Sequence, residues 1–256
     1  MSEQDRLSAI RNDLFALQSD LATRLQGVTD RSRANVVRHL HEIQSMLDPL
    51  NAYASQAGQD RVVDRVLKQK IGGTFVDIGG YDGVTGSNTL FFERQRDWTG
   101  VLLEPMPAQL DRAAAVRECP CLPYAIADAD GEAQFMAITQ GFTQMSGLID
   151  SYDDTMLARV REDKRHVEDM ITVQTRTLSR VLLDAGLPHP DFVSLDIEGG
   201  ELSALSSFPF ADHQVGVWSI ENNSGTSEIG EVMRANGYAL IEFCGPDEIF
   251  ALKSLF

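Results

Sequence analysis

The stretch GTFVDIGGYDGVTGSNT, residues 73–89, decides the fold. A β-branched and aromatic run, Thr74, Phe75, Val76 and Ile78, stops at a glycine cluster, Gly79, Gly80, Gly83 and Gly86, and Ser87-Asn88-Thr89 then precedes an apolar helical pattern. That order reads as a buried strand, a tight turn and a capped helix start, the opening unit of a doubly wound α/β sheet. Charge separates this loop from a phosphate-binding one. Asp77 ends the strand and Asp82 sits in the turn, so a pyrophosphate would be repelled there, whereas an ammonium or a sulfonium would be held.

Working outward, the alternation repeats. A helix is expected from about Ser87 to Arg96, a strand over Gly100–Glu104, a helix from Pro105 to about Arg117, and a third strand over Leu122–Ile126. Glu132–Thr139 alternates well enough for a strand, half of a hairpin with Asp130-Gly131 at its turn. Residues of about 139–169 break the pattern, with two glycines, two methionines and a charged helical run; they read as a lid-like insertion over the strand ends. Strands are expected again at Ile171–Thr177, Phe192–Asp196 and Val215–Glu221, with helices near Gly200–Ser207 and Ser227–Asn236. Tyr238–Phe243 and Glu248–Leu252 close the chain as an antiparallel pair. About seven strands mostly alternating with helices make the class α/β.

In open α/β sheets ligands bind outside the carboxyl ends of the strands. Here those ends carry Asp77, Glu104, Asp128, Asp196 and Glu221. Glu104, 27 positions after Asp77, is placed to accept both hydroxyls of a ribose. The loop does not give G-x-G-x-x-G and no Tyr-x-x-x-Lys pair occurs, which disfavours a nicotinamide cofactor. Asp128 is placed to accept from the exocyclic amine of adenine, and Ser87, Asn88 and Thr89 to bind a carboxylate. Ribose, adenine, a cation and a carboxylate together describe S-adenosylmethionine.

The segments DIGGYDGVTGSNTLFFE, GVLLEPMP, AIAD, VSLDIEGGELSAL and WSIENN resemble the FkbM family of S-adenosylmethionine-dependent methyltransferases, over about Thr74–Leu252. Gly80 and Gly200 stand where the family often has alanine. The resemblance implies a class I methyltransferase, Rossmann-like fold, its mostly parallel seven-stranded sheet ordered 3-2-1-4-5-7-6. It also implies O-methylation of a sugar, a glycan or a glycosylated metabolite. Carried onto this sequence, it assigns Asp77, Gly79, Gly80, Tyr81, Asp82 and Gly83 to the methionine end, Glu104 with Pro105 to ribose and Asp128 to adenine. Asp196, Glu198 and Glu201 then lie beside the transferable methyl as catalytic candidates, Asp196 also contacting the cofactor.

A neutral hydroxyl attacks a sulfonium poorly, so its proton must be removed or made more acidic. One route is a carboxylate base. The other is Mg²⁺, for which Asp196, Glu221 and Asn222 offer three oxygens, similar to the metal site of the magnesium-dependent catechol-type O-methyltransferases. Gly199 stands where those enzymes carry a lysine.

Upstream, Leu7, Ile10, Leu14, Leu17, Leu21, Leu25 and Val28 fall at alternating spacings of three and four, and Val36, Leu40, Ile43, Leu47, Leu50 and Ala54 repeat the pattern. Residues 1–58 are thus expected to form a helical hairpin or coiled-coil-like appendage, a cap on the catalytic domain or a surface for a second copy or a protein partner. Residues 59–256 form the catalytic domain. The competing reading is a non-catalytic methyltransferase-like module that recruits partners through these helices. A net charge of −16 argues against nucleic acid as a partner. No apolar run reaches the ~18–20 residues of a membrane span, and the start MSEQDRLSAIRNDL lacks the form of a signal peptide. Three cysteines, too few for a disulfide framework, fit a cytoplasmic protein.

Overall fold

The computed structural model describes residues 1–152 and 154–256; Asp153, inside the expected lid, lies outside the described residues. Helices α1 (Glu3–Gln26), α2 (Arg33–Leu47) and α3 (Gln59–Val66) precede the first strand, β1 (Thr74–Ile78). Next come α4 (Leu90–Arg96), β2 (Thr99–Leu103), α5 (Pro107–Val116), β3 (Cys121–Leu122), β4 (Tyr124–Ile126), β5 (Gly131–Gln140), β6 (Gly147–Leu148), α6 (Asp154–Arg161) and β7 (Val167–Arg176). The chain closes through α7 (Leu178–Asp184), β8 (Phe192–Leu195), α8 (Glu201–Ser207), β9 (Val217–Glu221), α9 (Glu228–Ala235), β10 (Tyr238–Cys244) and β11 (Asp247–Leu252).

Seven strands make the main sheet in the order β3-β2-β1-β8-β9-β11-β10. Counting only these strands along the chain, the order is 3-2-1-4-5-7-6, as expected. All pairs from β3 to β9 are parallel; β11 runs antiparallel to both of its neighbours. Every residue of β8 and β9 is buried, as parallel strands covered on both faces require. Because side chains alternate across a strand, Val76 and Ile78 join Val193, Leu195, Trp218 and Ile220 under α7 and α8. Phe75 points the other way, into a cluster with Phe92, Trp98, Phe192 and Val63.

The expected third strand is split. Cys121 and Leu122 pair with β2, but Tyr124–Ile126 leaves the sheet and pairs with β7. Pro123 stands between them; it has no N–H for a ladder, which makes the break cheap at that position. The hairpin expected around Asp130-Gly131 does not form. Instead β5 pairs antiparallel with β7 along nearly its whole length, and the second sheet runs β4-β7-β5-β6. The lid is therefore anchored on a sheet of its own, and only the segment between β5 and β7 is irregular or helical.

At the N-terminus, α1 and α2 pack around Leu21, Val36 and Ile43, with Leu14, Leu25, Leu40 and Leu47 against them. The capping box of α1, Ser2 with Asp5, fixes its start. Arg33 at the start of α2 makes a bidentate pair with Glu242 of β10, both contacts at 2.6 Å, so the hairpin sits against the last strands of the main sheet.

Candidate functional site

A cavity opens at the carboxyl ends of β1, β2, β8 and β9, roofed by the segment Phe142–Ser151. Its floor is made by close backbone approach. Gly79 has φ +78°, and a Cβ there would lie 1.7 Å from the carbonyl oxygen of Asp196, so only glycine lets the loop after β1 pass the loop after β8. Two non-glycine residues of the rim, Tyr81 and Glu198, hold left-handed backbone at φ +49° and +58°, a conformation of appreciable cost that clusters at functional sites. The Tyr81 hydroxyl meets Thr143 Oγ1 at 2.7 Å and ties this loop to the roof.

Of the residues singled out by sequence, Asp77, Gly79, Gly80, Tyr81, Ser87, Asn88, Glu104, Pro105, Asp196, Glu198 and Glu221 line the cavity. Asp82, Gly83, Thr89, Asp128, Glu201 and Asn222 do not, and their partners explain why. Asp82 caps its own turn, accepting from the backbone of Val84 and Thr85 and from the Thr85 hydroxyl. Gly83 closes the same turn, donating to Gly80 O. Thr89 donates to Asp77 and accepts from Arg117. Asp128 is exposed beyond β4, and the wall there consists of Tyr124, Ala125 and Ile126. Glu201 accepts from the N–H groups of Ile197 and Gly199 and so folds the Asp196–Gly199 loop onto the start of α8. The Asn222 amide donates to Thr226 O and Glu248, while its carbonyl accepts from Gly225 and Ser224. It is fully committed to the turn after β9, which corrects its expected place among metal ligands.

Glu198 takes that place. Asp196, Glu198 and Glu221 each present an oxygen, all within 4.8 Å of one another. Asp247, which the sequence reading did not single out, also lines the cavity, accepting from Ser219 at 2.7 Å and Asn88 at 3.4 Å. Six carboxylates thus face one cavity, and among the described lining residues there is no Lys, Arg or His.

Burial and mutual repulsion push these acids toward their neutral forms. Burial is the larger cause throughout. The Asp196 carboxyl is raised to about 8, with Asp247 and Glu201 adding to the effect and a hydrogen bond from Glu221 opposing it. Glu198 is raised to about 9 with Asp196 and Glu201 adding, and Glu221 and Asp247 are raised too. Glu104 is raised to about 7, although its two oxygens accept from Met106 N at 2.8 Å and Tyr81 N at 3.0 Å.

Asp77 differs. Its carboxylate takes hydrogen bonds from Thr89 and, at 3.4 Å, from Arg117, whose side chain is wholly buried and also pairs with Glu93 at 2.7 Å. Nothing local in the sequence announces Arg117, which lies 40 positions from Asp77 and reaches it only once α5 has packed.

The family model for the methyltransferase FkbM domain matches residues 77–240, most of the chain and every strand from β1 to β9 but the first residues of β1. The chain belongs to the FkbM methyltransferase family. Among solved structures, an FkbM methyltransferase from Methylobacillus flagellatus is similar at 14% identity and a TM-score of 0.47, over 93% of this chain and 58% of that one. This chain therefore spans little more than half the length of that relative. A TehB-like SAM-dependent methyltransferase from Corynebacterium glutamicum is 13% identical, with a TM-score of 0.38 over 86% and 97% of the two chains. A precorrin-6y C5,15-methyltransferase from Geobacter metallireducens is 13% identical, with a TM-score of 0.40 over 76% and 87%. No curated protein matches the chain.

Proposed function

We propose that this FkbM-domain protein is an S-adenosylmethionine-dependent O-methyltransferase acting on a hydroxyl of a sugar, a glycan or a glycosylated metabolite. The observation that carries the reading is the cavity with six carboxylates and, among its described lining residues, no cation, built on the backbone cradle at Gly79. The fit is supported by polar atoms of the lining that lack partners: Asn88 Oδ1, Glu198 Oε2 and Glu221 Oε2, each costly to bury unless a ligand meets it. In this reading Glu104 accepts the ribose hydroxyls, Tyr124, Ala125 and Ile126 wall the adenine, and Asn88 accepts from the ammonium of the methionine part. When bound, the cofactor supplies an electrophilic methyl on a sulfonium. The carboxylates of Asp196, Glu198 and Glu221 complement its positive charge.

The same three carboxylates suit a hard cation, Mg²⁺, which would acidify the acceptor hydroxyl. Without the cation, Glu198 takes the hydroxyl proton once the sulfonium beside it has drawn its raised carboxyl back to the ionised form. It lies under the roof, where a Cβ on the adjacent Gly199 would come within 2.6 Å of Ser151 O. Glu201 acts on the reaction through that loop.

Residues 1–58 are assigned as a helical unit on a catalytic domain of 59–256, and the protein as cytosolic, consistent with three free thiols. Leu7, Ile10 and Leu17 are exposed along α1, and we assign this stripe to a second copy. Antiparallel pairing sets Leu7 opposite Leu17, with Ile10 near the centre and Arg6 beside Asp20; Ile10→Glu then yields a monomer in a sizing experiment.

Calorimetry with S-adenosylmethionine, S-adenosylhomocysteine and NAD decides the cofactor: both adenosyl ligands bind, NAD does not, and Glu104→Ala loses both. Binding of neither adenosyl ligand to the native chain sinks the reading. Manganese titration followed by electron paramagnetic resonance decides the cation, which should bind the native chain and not Glu198→Gln.

A further inference from the structure

The wall of the cavity beside Glu221 is the β10–β11 turn that carries Pro246 and Asp247, and the turn after β9 packs against it. They are stitched together by Asn222, whose N–H donates to Pro246 O at 3.2 Å and whose amide donates to Glu248 at 2.9 Å. A third party holds both from outside. Arg31, in the break between α1 and α2, donates to Glu248 at 2.5 Å, to Pro246 O at 2.9 Å and to the carbonyl of Asn222. Its own position is fixed, because Asp30 turns the chain by accepting from Ser32 N and Oγ, and Ala34 N donates back to Arg31 O.

The position of this guanidinium matters because the wall is acidic. Glu221, Asp247 and Glu248 crowd into it, all less than 8% exposed, and among the described residues no other ion pair reaches Glu248. Arg31 offsets that charge from behind through its pair with Glu248, while presenting nothing to the cavity itself. Without it Glu248 would be a buried carboxylate with no counter-ion, and the backbone carbonyls of Asn222 and Pro246 would each lose a donor.

We propose that Arg31 is a positioning residue of the reaction: through it the N-terminal hairpin sets Glu221 and Asp247 at the sulfonium end of the site. The proposal rests on the reading of the cavity as an S-adenosylmethionine site. It makes the hairpin part of the active centre, even though no side chain of α1 or α2 lines the cavity.

The test compares two full-length variants. Arg31→Met removes the clamp on the cavity wall, while Arg33→Met breaks the neighbouring pair with Glu242 on β10, away from the cavity. Both should lower thermal stability. Only Arg31→Met should reduce the affinity for S-adenosylmethionine relative to S-adenosylhomocysteine, by about fivefold, because the lost contribution is charge placement near a sulfonium, and Arg31→Lys should recover part of it. Hydrogen exchange at residues 222–226 and 246–248 should accelerate in Arg31→Met and not in Arg33→Met. An affinity ratio that is unchanged in Arg31→Met, or equally changed in both variants, overturns the proposal. If the native chain bound neither adenosyl ligand, the cofactor reading would fall, and unaltered exchange in Arg31→Met would by itself refute the placement of the wall by Arg31.

Discussion

Arg117 lies 3.4 Å from the carboxylate of Asp77, and its side chain is completely buried between that carboxylate and Glu93. The pairing changes what the first loop contributes. Asp77 stands at the cavity floor paired from behind, whereas Asp196, Glu198, Glu221 and Asp247 face the cavity with no ion-pair partner among the described residues.

Removing Arg117 leaves two buried carboxylates with no counter-ion. Arg117→Met is expected to destabilise the protein by about 3–5 kcal/mol, as breaking a buried pair from one side does. Urea unfolding measures it, and a loss below about 1 kcal/mol would mean that the pair is solvated in solution.

Glu104 makes cofactor affinity depend on pH. Hydroxyl donors favour the carboxylate, and in the free protein that group titrates at about 7. Affinity for S-adenosylhomocysteine should therefore rise with pH through 7, being about tenfold weaker at pH 6 than at pH 8. The neutral sulfur of this ligand keeps the sulfonium out of the comparison. In Glu104→Gln the slope should vanish.

Glu198 sets a stability prediction of definite sign. Its folded value, about 9, lies above the ordinary 4.5. The stability linked to its proton is thus fully present below pH 4.5 and is lost as pH rises through about 9. Glu198→Gln should melt higher than the native chain at pH 8 to 9, with the gap closing near pH 4.5. A native chain that is the more stable of the two at pH 8 would mean that Glu198 is ionised and paired there.

Gly79→Ala meets both a left-handed backbone and the Asp196 carbonyl at 1.7 Å. Loss of more than about 3 kcal/mol is expected, together with loss of adenosyl-ligand binding in whatever fraction still folds. Circular dichroism melts with parallel calorimetry separate the two effects.

Much of this molecule was legible in the sequence because its signals are local. Strand-turn-helix alternation, the glycine cluster at 79–86 and an acid at each strand end follow from periodicity and backbone conformation within a few residues, and they anticipated the sheet class and the acids of the cavity lining other than Asp247. The splitting of the third strand at Pro123 and the pairing of β5 with β7 were not legible, because strand partners thirty or more residues apart leave no periodic trace in either strand. The exchange of Asn222 for Glu198 in the acidic triad has a similar origin. An amide and a carboxylate look equally available in sequence, and only the turn around Gly225 shows that the amide is already spent.

The sequence by itself determined the fold class, the sheet order through the resemblance it carries, and the concentration of acids at the strand ends. Tertiary structure alone decided which of those acids are free. Asp77 is paired with Arg117, Asp82 and Glu201 are consumed by their own loops, and Asp128 is exposed to solvent, while Asp196, half-buried, and Glu198 and Glu221, buried, are left short of partners. The physical reason is that a carboxylate's chemistry depends on desolvation and on the nearest donor or charge, and those neighbours arrive from distant parts of the chain.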